Sequence, residues 1–186
     1  KLLYLEVTVF QKLDLILVSV YKKIYKMKNK IILFVLALFL IQNCSAQFND
    51  YKKKYNALLP TLQKSANNKK LYYGKAFSEF YQNFTVKDRI ISFGYDGKYD
   101  YSKKQYILRL YFSKTEETSP LIDNKLPIPM LKITFQDQIP DEIIPLTRKY
   151  EGIWNEDMAK FFSNLRIEEI EYYGINGWDN KDRRAR

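Results

Sequence analysis

Apolar and polar residues alternate along several stretches in the second half of the chain. In the clearest of them, residues 130–137, Leu131, Ile133 and Phe135 alternate with polar or charged neighbours. Because successive side chains of a strand point to opposite faces, this alternation indicates a sheet with one buried and one solvated face. Strands are predicted in four segments: RIISFGY (89–95), QYILRLYFS (105–113), MLKITFQD (130–137) and RIEEIEYYGI (166–175).

The first two strands are separated by a short segment rich in turn residues. Asp96-Gly97 follows the first strand directly and is a strong signal for a hairpin turn. The return strand begins either at Tyr99 or at Gln105, and the pattern alone leaves both open.

Helical spacing of apolar residues precedes these strands. Asn49 or Asp50 can cap a first helix, which Pro60 is expected to kink or end, and KSANNKK (64–70) is predicted as a polar break. A second helix then carries an aromatic stripe, which we expect to face the core and not a ligand groove. The stripe consists of Tyr73, Phe77, Phe80 and Phe84.

Prolines and one capping residue organise the segment before the last strand. Pro140 and Pro145 exclude a long helix over 139–154, where we expect a short helical turn and a loop. Asn155 is predicted to cap a short helix over 156–165, whose first residues are acidic and suit the positive end of a helix.

The order of these elements, α-α-β-β-β-α-β, predicts an α+β fold. We expect a single small domain with an antiparallel sheet of about four strands and helices packed on one face. The domain is assigned to residues 47–180, and the basic segment KDRRAR (181–186) to a disordered tail.

A stretch with the three parts of an export signal precedes this domain. Lys28 and Lys30 lead into an unbroken apolar run of 11 residues over 31–41, and small residues follow at 44–46. A helix of that length spans about 16 Å, much less than the roughly 30 Å hydrocarbon core of a bilayer. The pattern predicts a signal peptide over 27–46, preceding a periplasmic or secreted protein.

The same stretch offers two ways of being processed. Cleavage between Ala46 and Gln47 is the predicted one. Lipidation of Cys44, the one cysteine of the chain, is the alternative, and it or an uncleaved signal would leave the protein anchored to the envelope. Gln42 and Asn43 stand where lipoprotein signals have a small residue. Residues 1–26, upstream of Met27, are interpreted as an extension from a mis-assigned start.

The charged and aromatic residues of the predicted domain indicate which classes of partner and which kind of core to expect. Residues 47–186 hold 24 basic and 19 acidic residues, and the tail contributes three of the excess positive charges. The body is therefore nearly balanced, and without a concentrated basic face no nucleic-acid partner is predicted. The same residues include 13 Tyr, 9 Phe and 2 Trp, which predicts an aromatic core.

The residue inventory excludes several catalytic chemistries. The chain has no histidine, and its one cysteine lies in the predicted signal, so Ser-His-Asp and Cys-His catalysis are excluded. Zinc sites built on these ligands are not expected either, and neither the phosphate-binding loop nor the dinucleotide-binding glycine pattern occurs. No cofactor and no metal are therefore predicted.

Paired carboxylates are the remaining route to catalysis, because glycoside hydrolysis uses two of them across the substrate. We interpret the available pairs as a solvated surface. On a regular strand, Glu169 and Glu171 share one face and Glu168 points to the other. The pairs considered are Asp96 with Asp100, Glu116 with Glu117, Asp141 with Glu142, and Glu168, Glu169 and Glu171 together.

The segment EYYGINGWDN (171–180) is the predicted contact surface. Tyr172, Tyr173 and Trp178 are large amphipathic residues near a turn, with Asp179 as a polar neighbour, and tyrosine and tryptophan are enriched in binding hot spots. The alternative is that these rings close one end of the core.

The leading hypothesis is a small exported bacterial protein, not an enzyme, that binds another macromolecule. The partner would be a protein, as for an inhibitor or immunity protein, or an envelope glycan. The alternative hypothesis is a carboxylate-dependent hydrolase acting on cell-envelope glycans, and a purely structural envelope component is a third.

Overall fold

The protein is described by a computed structural model. The residues it describes are 49–98, 104–180, 182 and 185. The chain divides into two compact units, Lys1–Tyr51 and Lys52–Arg186, and all strands of the described residues belong to the second unit.

The predicted export signal lies outside the described residues. Residues 1–48 are not described, and they include the segments 1–26 and 27–46 as well as Cys44, Ala46 and Gln47. Within the described ranges, no helix is long and apolar enough to span a bilayer.

The sheet has four antiparallel strands in the order of the chain, so each strand pairs with its sequence neighbour. The predicted α+β fold with helices beside an antiparallel sheet is confirmed. The strands are Ser92–Gly97 (β1), Gln105–Tyr111 (β2), Met130–Phe135 (β3) and Ile167–Tyr173 (β4).

Five α-helices accompany the sheet in the described residues. They are residues 49–68 (α1), Phe77–Asn83 (α2), Thr115–Asp123 (α3), Ile143–Tyr150 (α4) and Glu156–Phe162 (α5), with 3-10 turns at Lys69–Tyr72 and Lys87–Arg89.

Helix α1 continues through Pro60, where the sequence predicted a kink or an end. Its second half is held by the C-terminal part of the domain. The Gln63 side chain donates a 2.8 Å hydrogen bond to the Ile175 carbonyl, and the hydroxyls of Ser65 and Tyr172 lie 2.6 Å apart. These contacts offset the backbone hydrogen bond that a proline forgoes, and the predicted polar break is wrong.

Helix α4 lies where a short helical turn and a loop were expected, and helix α3 lies between β2 and β3, where no helix was predicted. In α4, Pro145 is the third residue, where a helix needs no backbone N–H, so the proline is tolerated and the helix runs for eight residues. The start of α3 is held by Glu117, whose carboxylate accepts a 3.2 Å hydrogen bond from the Lys114 backbone N–H. Leu121 is buried and anchors α3 to the domain.

The cap predicted for α5 is confirmed. Asn155 has an extended backbone, and its side-chain oxygen accepts a 3.1 Å hydrogen bond from the Met158 N–H. Such a bond satisfies one of the four free N–H groups at a helix start. The helix then presents Met158 and Phe162 to the core.

One face of the sheet, which we call the inner face, is covered by an aromatic core. Phe77 lies at its centre and is fully buried. The expectation that the aromatic stripe faces the core is confirmed for Phe77, Phe80 and Phe84, whereas Tyr73 precedes the helix. The ring of Phe77 has its centroid 5.5–6.2 Å from those of Phe80, Tyr81, Phe135, Trp154 and Phe162.

Both edges of the sheet carry additional backbone hydrogen bonds. Beside β1, the Phe93 N–H donates to the Gly152 carbonyl over 2.9 Å. Beside β4, the Ile167 N–H donates to the Lys75 carbonyl over 2.9 Å, and the Gly74 N–H donates to the Ile167 carbonyl over 2.7 Å. Segments from elsewhere in the chain thus bond to the backbone near the start of each outer strand.

The predicted Asp96-Gly97 turn lies inside β1. Asp96 pairs with Ile107 and Gly97 pairs with Gln105, so the strand continues through both residues and contains an irregularity between them. The return strand begins at Gln105, the second of the two positions left open by the sequence.

Candidate functional site

The face of the sheet opposite the core carries the candidate site. Cross-strand register places Arg109 beside Lys132 and Lys132 beside Glu171, with Tyr111, Met130 and Tyr173 aligned in the next row. Residues paired directly across neighbouring strands point to the same face. Rows two residues apart also share that face, because the side-chain period of a strand is two. We call this surface the outer face, and its members used below are Gly94, Asp96, Arg109, Tyr111, Met130, Lys132, Glu171 and Tyr173.

Ion pairs cross the strands on the outer face. An Arg109 guanidinium nitrogen lies 2.7 Å from an Asp96 carboxylate oxygen, joining β2 to β1. The Lys132 ammonium lies 2.5 Å from the Glu171 carboxylate, joining β3 to β4. The hydrogen bond that Lys132 donates to Glu171 raises the pKa of Lys132 more than burial lowers it. The charges of the central strands are thus neutralised by carboxylates of the two outer strands.

Tyrosines complete the outer face. The Tyr173 hydroxyl donates a 3.1 Å hydrogen bond to the second oxygen of Glu171, and burial raises the pKa of Tyr173, with a further contribution from Glu171. The ring of Tyr111 lies over Gly94, where an added Cβ would meet the ring at 3.8 Å. Because Gly94 has no side chain, the ring of Tyr111 from the diagonal position on β2 can lie flat against the sheet. Both rings are half-buried.

Strand β4 contains an irregularity that changes the direction of its acidic side chains. Thr134 pairs with Glu169 but Phe135 pairs with Ile167, so Glu168 is an extra residue in β4. Glu168 and Glu169 are both exposed, and the prediction that Glu168 points to the opposite side is wrong for this reason.

Glu168 is paired with a lysine that follows β1, the strand at the opposite edge of the sheet. Its carboxylate forms an ion pair with Lys98, which directly follows β1. The Lys98 ammonium also lies 4.9 Å from the ring centroid of Tyr106, a distance typical of a cation–π contact. Lys98, which follows β1, therefore links residues of β2 and β4.

The structure separates the predicted contact residues. Tyr172 and Tyr173 are neighbours on β4 and therefore point to opposite faces. Tyr172 is fully buried on the inner face, and burial raises the pKa of its hydroxyl although the hydrogen bond with Ser65 lowers it. Of these two tyrosines, Tyr173 is the one that reaches the outer face.

The other two predicted contact residues lie in the turn after β4. Trp178 packs edge-on against Tyr55 of α1, with ring centroids 5.5 Å apart, and the Lys52 ammonium lies 5.4 Å from the Trp178 ring. The Tyr55 hydroxyl accepts a 3.1 Å hydrogen bond from the Gly177 N–H. Trp178 thus ties the turn to α1, and Asp179 beside it is exposed.

The candidate carboxylates are spread over the surface. Asp141 and Glu142 are exposed before α4, and Glu117 serves the start of α3. Asp100 and the side chain of Glu116 lie outside the described residues. Within the described part of the chain, no three His, Cys, Asp or Glu residues are grouped so that they could hold a metal ion.

Comparison with known proteins gave no match: no family model, no curated protein and no solved structure is similar to this chain.

Proposed function

We propose that this is an exported, non-catalytic protein that binds another protein through the outer face. The observation that carries the proposal is the composition of that face. Tyr111, Tyr173, Met130 and Arg109 lie on adjacent rows of the sheet. Tyrosine, methionine and arginine are the residue types enriched in protein interfaces.

The ion pairs support binding because they hold long side chains in place before a partner arrives. Immobilising a flexible side chain on binding costs about 0.5–1.5 kcal/mol, and a chain that is already held loses less. Arg109 and Lys132 are each paired with a carboxylate across a strand boundary. The outer face is therefore preorganised, although it lies at the surface.

The carboxylates of this face suit binding better than hydrolysis of a glycan. Glycoside hydrolysis needs two carboxyl groups facing each other across a substrate. Asp96 and Glu171 are instead engaged by Arg109 and Lys132, and they stand on opposite outer strands of one sheet surface.

The area of the outer face indicates which class of complex it can form. Strands of six or seven residues are about 20 Å long, and four of them with their side chains are about 20 Å wide. The resulting area of about 400 Å² is roughly half of what each partner buries in a standard complex. Interfaces of this size are typical of transient complexes, so we expect reversible binding.

The test compares two variants of the full chain. Tyr111→Ser with Tyr173→Ser changes the outer face, and Ile122→Ser with Ile144→Ser changes exposed apolar residues of α3 and α4 as a matched control. Proteins retained from an envelope extract by the unmodified chain would be identified, purified and titrated against all three forms. Thermal unfolding of each form checks that the fold is intact.

We expect a purified partner to bind the outer-face variant at least about ten-fold more weakly, and the control with unchanged affinity, because aromatic residues dominate interface energies. Equal binding of the outer-face variant and the unmodified chain would overturn the proposal. So would the absence of any retained protein whose binding can be reproduced with purified components.

A further inference from the structure

The charges of the domain are segregated along the chain. Residues 52–78 contain seven lysines and no acidic residue, whereas residues 79–180 contain 13 basic and 17 acidic residues and a net charge of −4. The nearly balanced net charge of the whole domain therefore conceals a strongly basic segment. That segment comprises most of α1, the 3-10 turn after it and the residues up to the start of α2.

The lysines of this segment reach the surface. Lys53, Lys54 and Lys64 are exposed on α1, and Lys70 and Lys75 are exposed after it. Lys53 and Lys64 are separated by three helical turns and lie on one side of α1, since 11 residues correspond to almost three turns of 3.6 residues. The opposite side of the helix is buried through Tyr55, Leu62 and Ala66.

An exposed apolar residue lies within the same segment. Leu71 is 64% exposed, the largest value among the large apolar side chains of the described residues. It stands between Lys70 and the half-buried tyrosines Tyr72 and Tyr73. Lysine, tyrosine and an apolar side chain together are typical of a surface that lies at a membrane–water interface.

We propose that the lysine-rich side of α1 and the turn after it bind the anionic surface of a lipid bilayer. Clusters of four to eight basic residues beside a membrane segment are typical of binding to anionic lipids. Lys52 follows the apolar run over 31–41 by only ten residues, so the basic segment lies in the sequence just beyond the predicted signal peptide.

The residue types favour lipid headgroups over nucleic acid. All seven basic residues of the segment are lysines, which attract anions as point charges, whereas bidentate recognition of phosphates favours arginine. Leu71 contributes apolar area that an acyl-chain boundary can bury and a nucleic-acid backbone cannot. This surface is distinct from the outer face, and the two proposals stand independently.

The test measures binding of the full chain to two kinds of vesicle. One is phosphatidylcholine alone, and the other contains about one-third phosphatidylglycerol. The triple variant Lys53→Gln, Lys64→Gln, Lys70→Gln is compared with a control of equal charge change, Lys125→Gln, Lys149→Gln, Lys160→Gln, whose lysines are exposed elsewhere. The apolar run is the same in both, so only the position of the lost charges differs.

Each lysine near an anionic surface strengthens binding by about five-fold, so the triple variant should lose about 100-fold of the preference for anionic vesicles. The control should lose less than about five-fold. Leu71→Ser should weaken binding to both kinds of vesicle by a few-fold. Raising the salt to about 1 M should abolish the preference in the unmodified chain, because the screening length falls to about 3 Å.

Equal losses in the triple variant and its control would overturn the proposal, since the position of the charges would then not matter. Binding of the unmodified chain to duplex DNA without any preference for anionic over neutral vesicles would also overturn it. The variant Tyr111→Ser, Tyr173→Ser should bind vesicles like the unmodified chain, which keeps failure here distinguishable from failure at the outer face.

Discussion

The two faces of the sheet use the same strands and are stabilised in different ways. On the inner face, rings such as Phe77, Phe135 and Phe162 are fully buried and lie edge-on or stacked against one another. On the outer face, Lys132 and Glu171 form an ion pair between partly exposed side chains. The comparison indicates that fold stability resides on the inner face, whereas the outer face contributes little and is available for binding.

The largest expected effect is the loss of an inner ring. Phe77→Ala should lower the free energy of unfolding by about 3–5 kcal/mol, because it leaves a cavity among five neighbouring rings. Tyr173→Ala on the outer face should cost about 1 kcal/mol, since the ring is half-buried and has one hydrogen bond. Urea denaturation measures both, and equal costs would refute the division between the faces.

An effect of intermediate size is the loss of folding stability at alkaline pH that the buried Tyr172 hydroxyl causes. Burial raises the pKa of Tyr172, so below pH of about 10 the hydroxyl is neutral in both the folded and the unfolded chain. Above that pH only the unfolded chain releases this proton, and stability falls by up to about 1.4 kcal/mol per pH unit until the folded pKa is passed. Tyr172→Phe should remove this share of the alkaline loss while costing about 1 kcal/mol at neutral pH.

Ser65→Ala is the matched control for that titration. It removes the same hydrogen bond but leaves the Tyr172 hydroxyl in place, so the alkaline fall in stability should persist. Free energies of unfolding from pH 7 to pH 11 distinguish the two variants. An unchanged alkaline slope in Tyr172→Phe would contradict the assignment of that loss to the buried hydroxyl.

The smallest expected effect lies on the outer face. A double-mutant cycle of Lys132→Met and Glu171→Gln should give a coupling energy of about 0.5–1 kcal/mol at low salt, and less at high salt. The exposed pair Lys75–Glu79, four residues apart in sequence, should give about 0.3 kcal/mol in a parallel cycle. Coupling above about 2 kcal/mol for Lys132 and Glu171 would make the outer face a stabilising element.

The architecture of the inner face could be predicted from sequence because the signals are local. The alternation of apolar and polar residues predicted the four strands. Asn155 and the acidic residues after it predicted the start of α5. The course of α1 through Pro60 could not be predicted, because Gln63 and Ser65 are held by residues more than 100 positions away. Proline and polar residues are weak local signals when such contacts are present.

The grouping of charged and aromatic side chains on the outer face was missed for a different reason. Which charges meet there depends on the register of neighbouring strands, and an extra residue such as Glu168 shifts that register. The spacing of Ile167 and Ile170, three residues apart and both fully buried, was the available signal for the irregularity. The grouping of lysines over 52–78 was also readable, but the average charge of the domain conceals it.

The strands at the two borders of the sheet have a consequence for how the folded protein behaves at high concentration. Exposed strand borders are templates on which other chains polymerise into fibrils. Here the segments around Gly152 and Gly74 occupy backbone groups along β1 and β4. Once these segments have docked, the start of β1 and the start of β4 are closed to a strand from another molecule, and fibre growth from these positions is not expected.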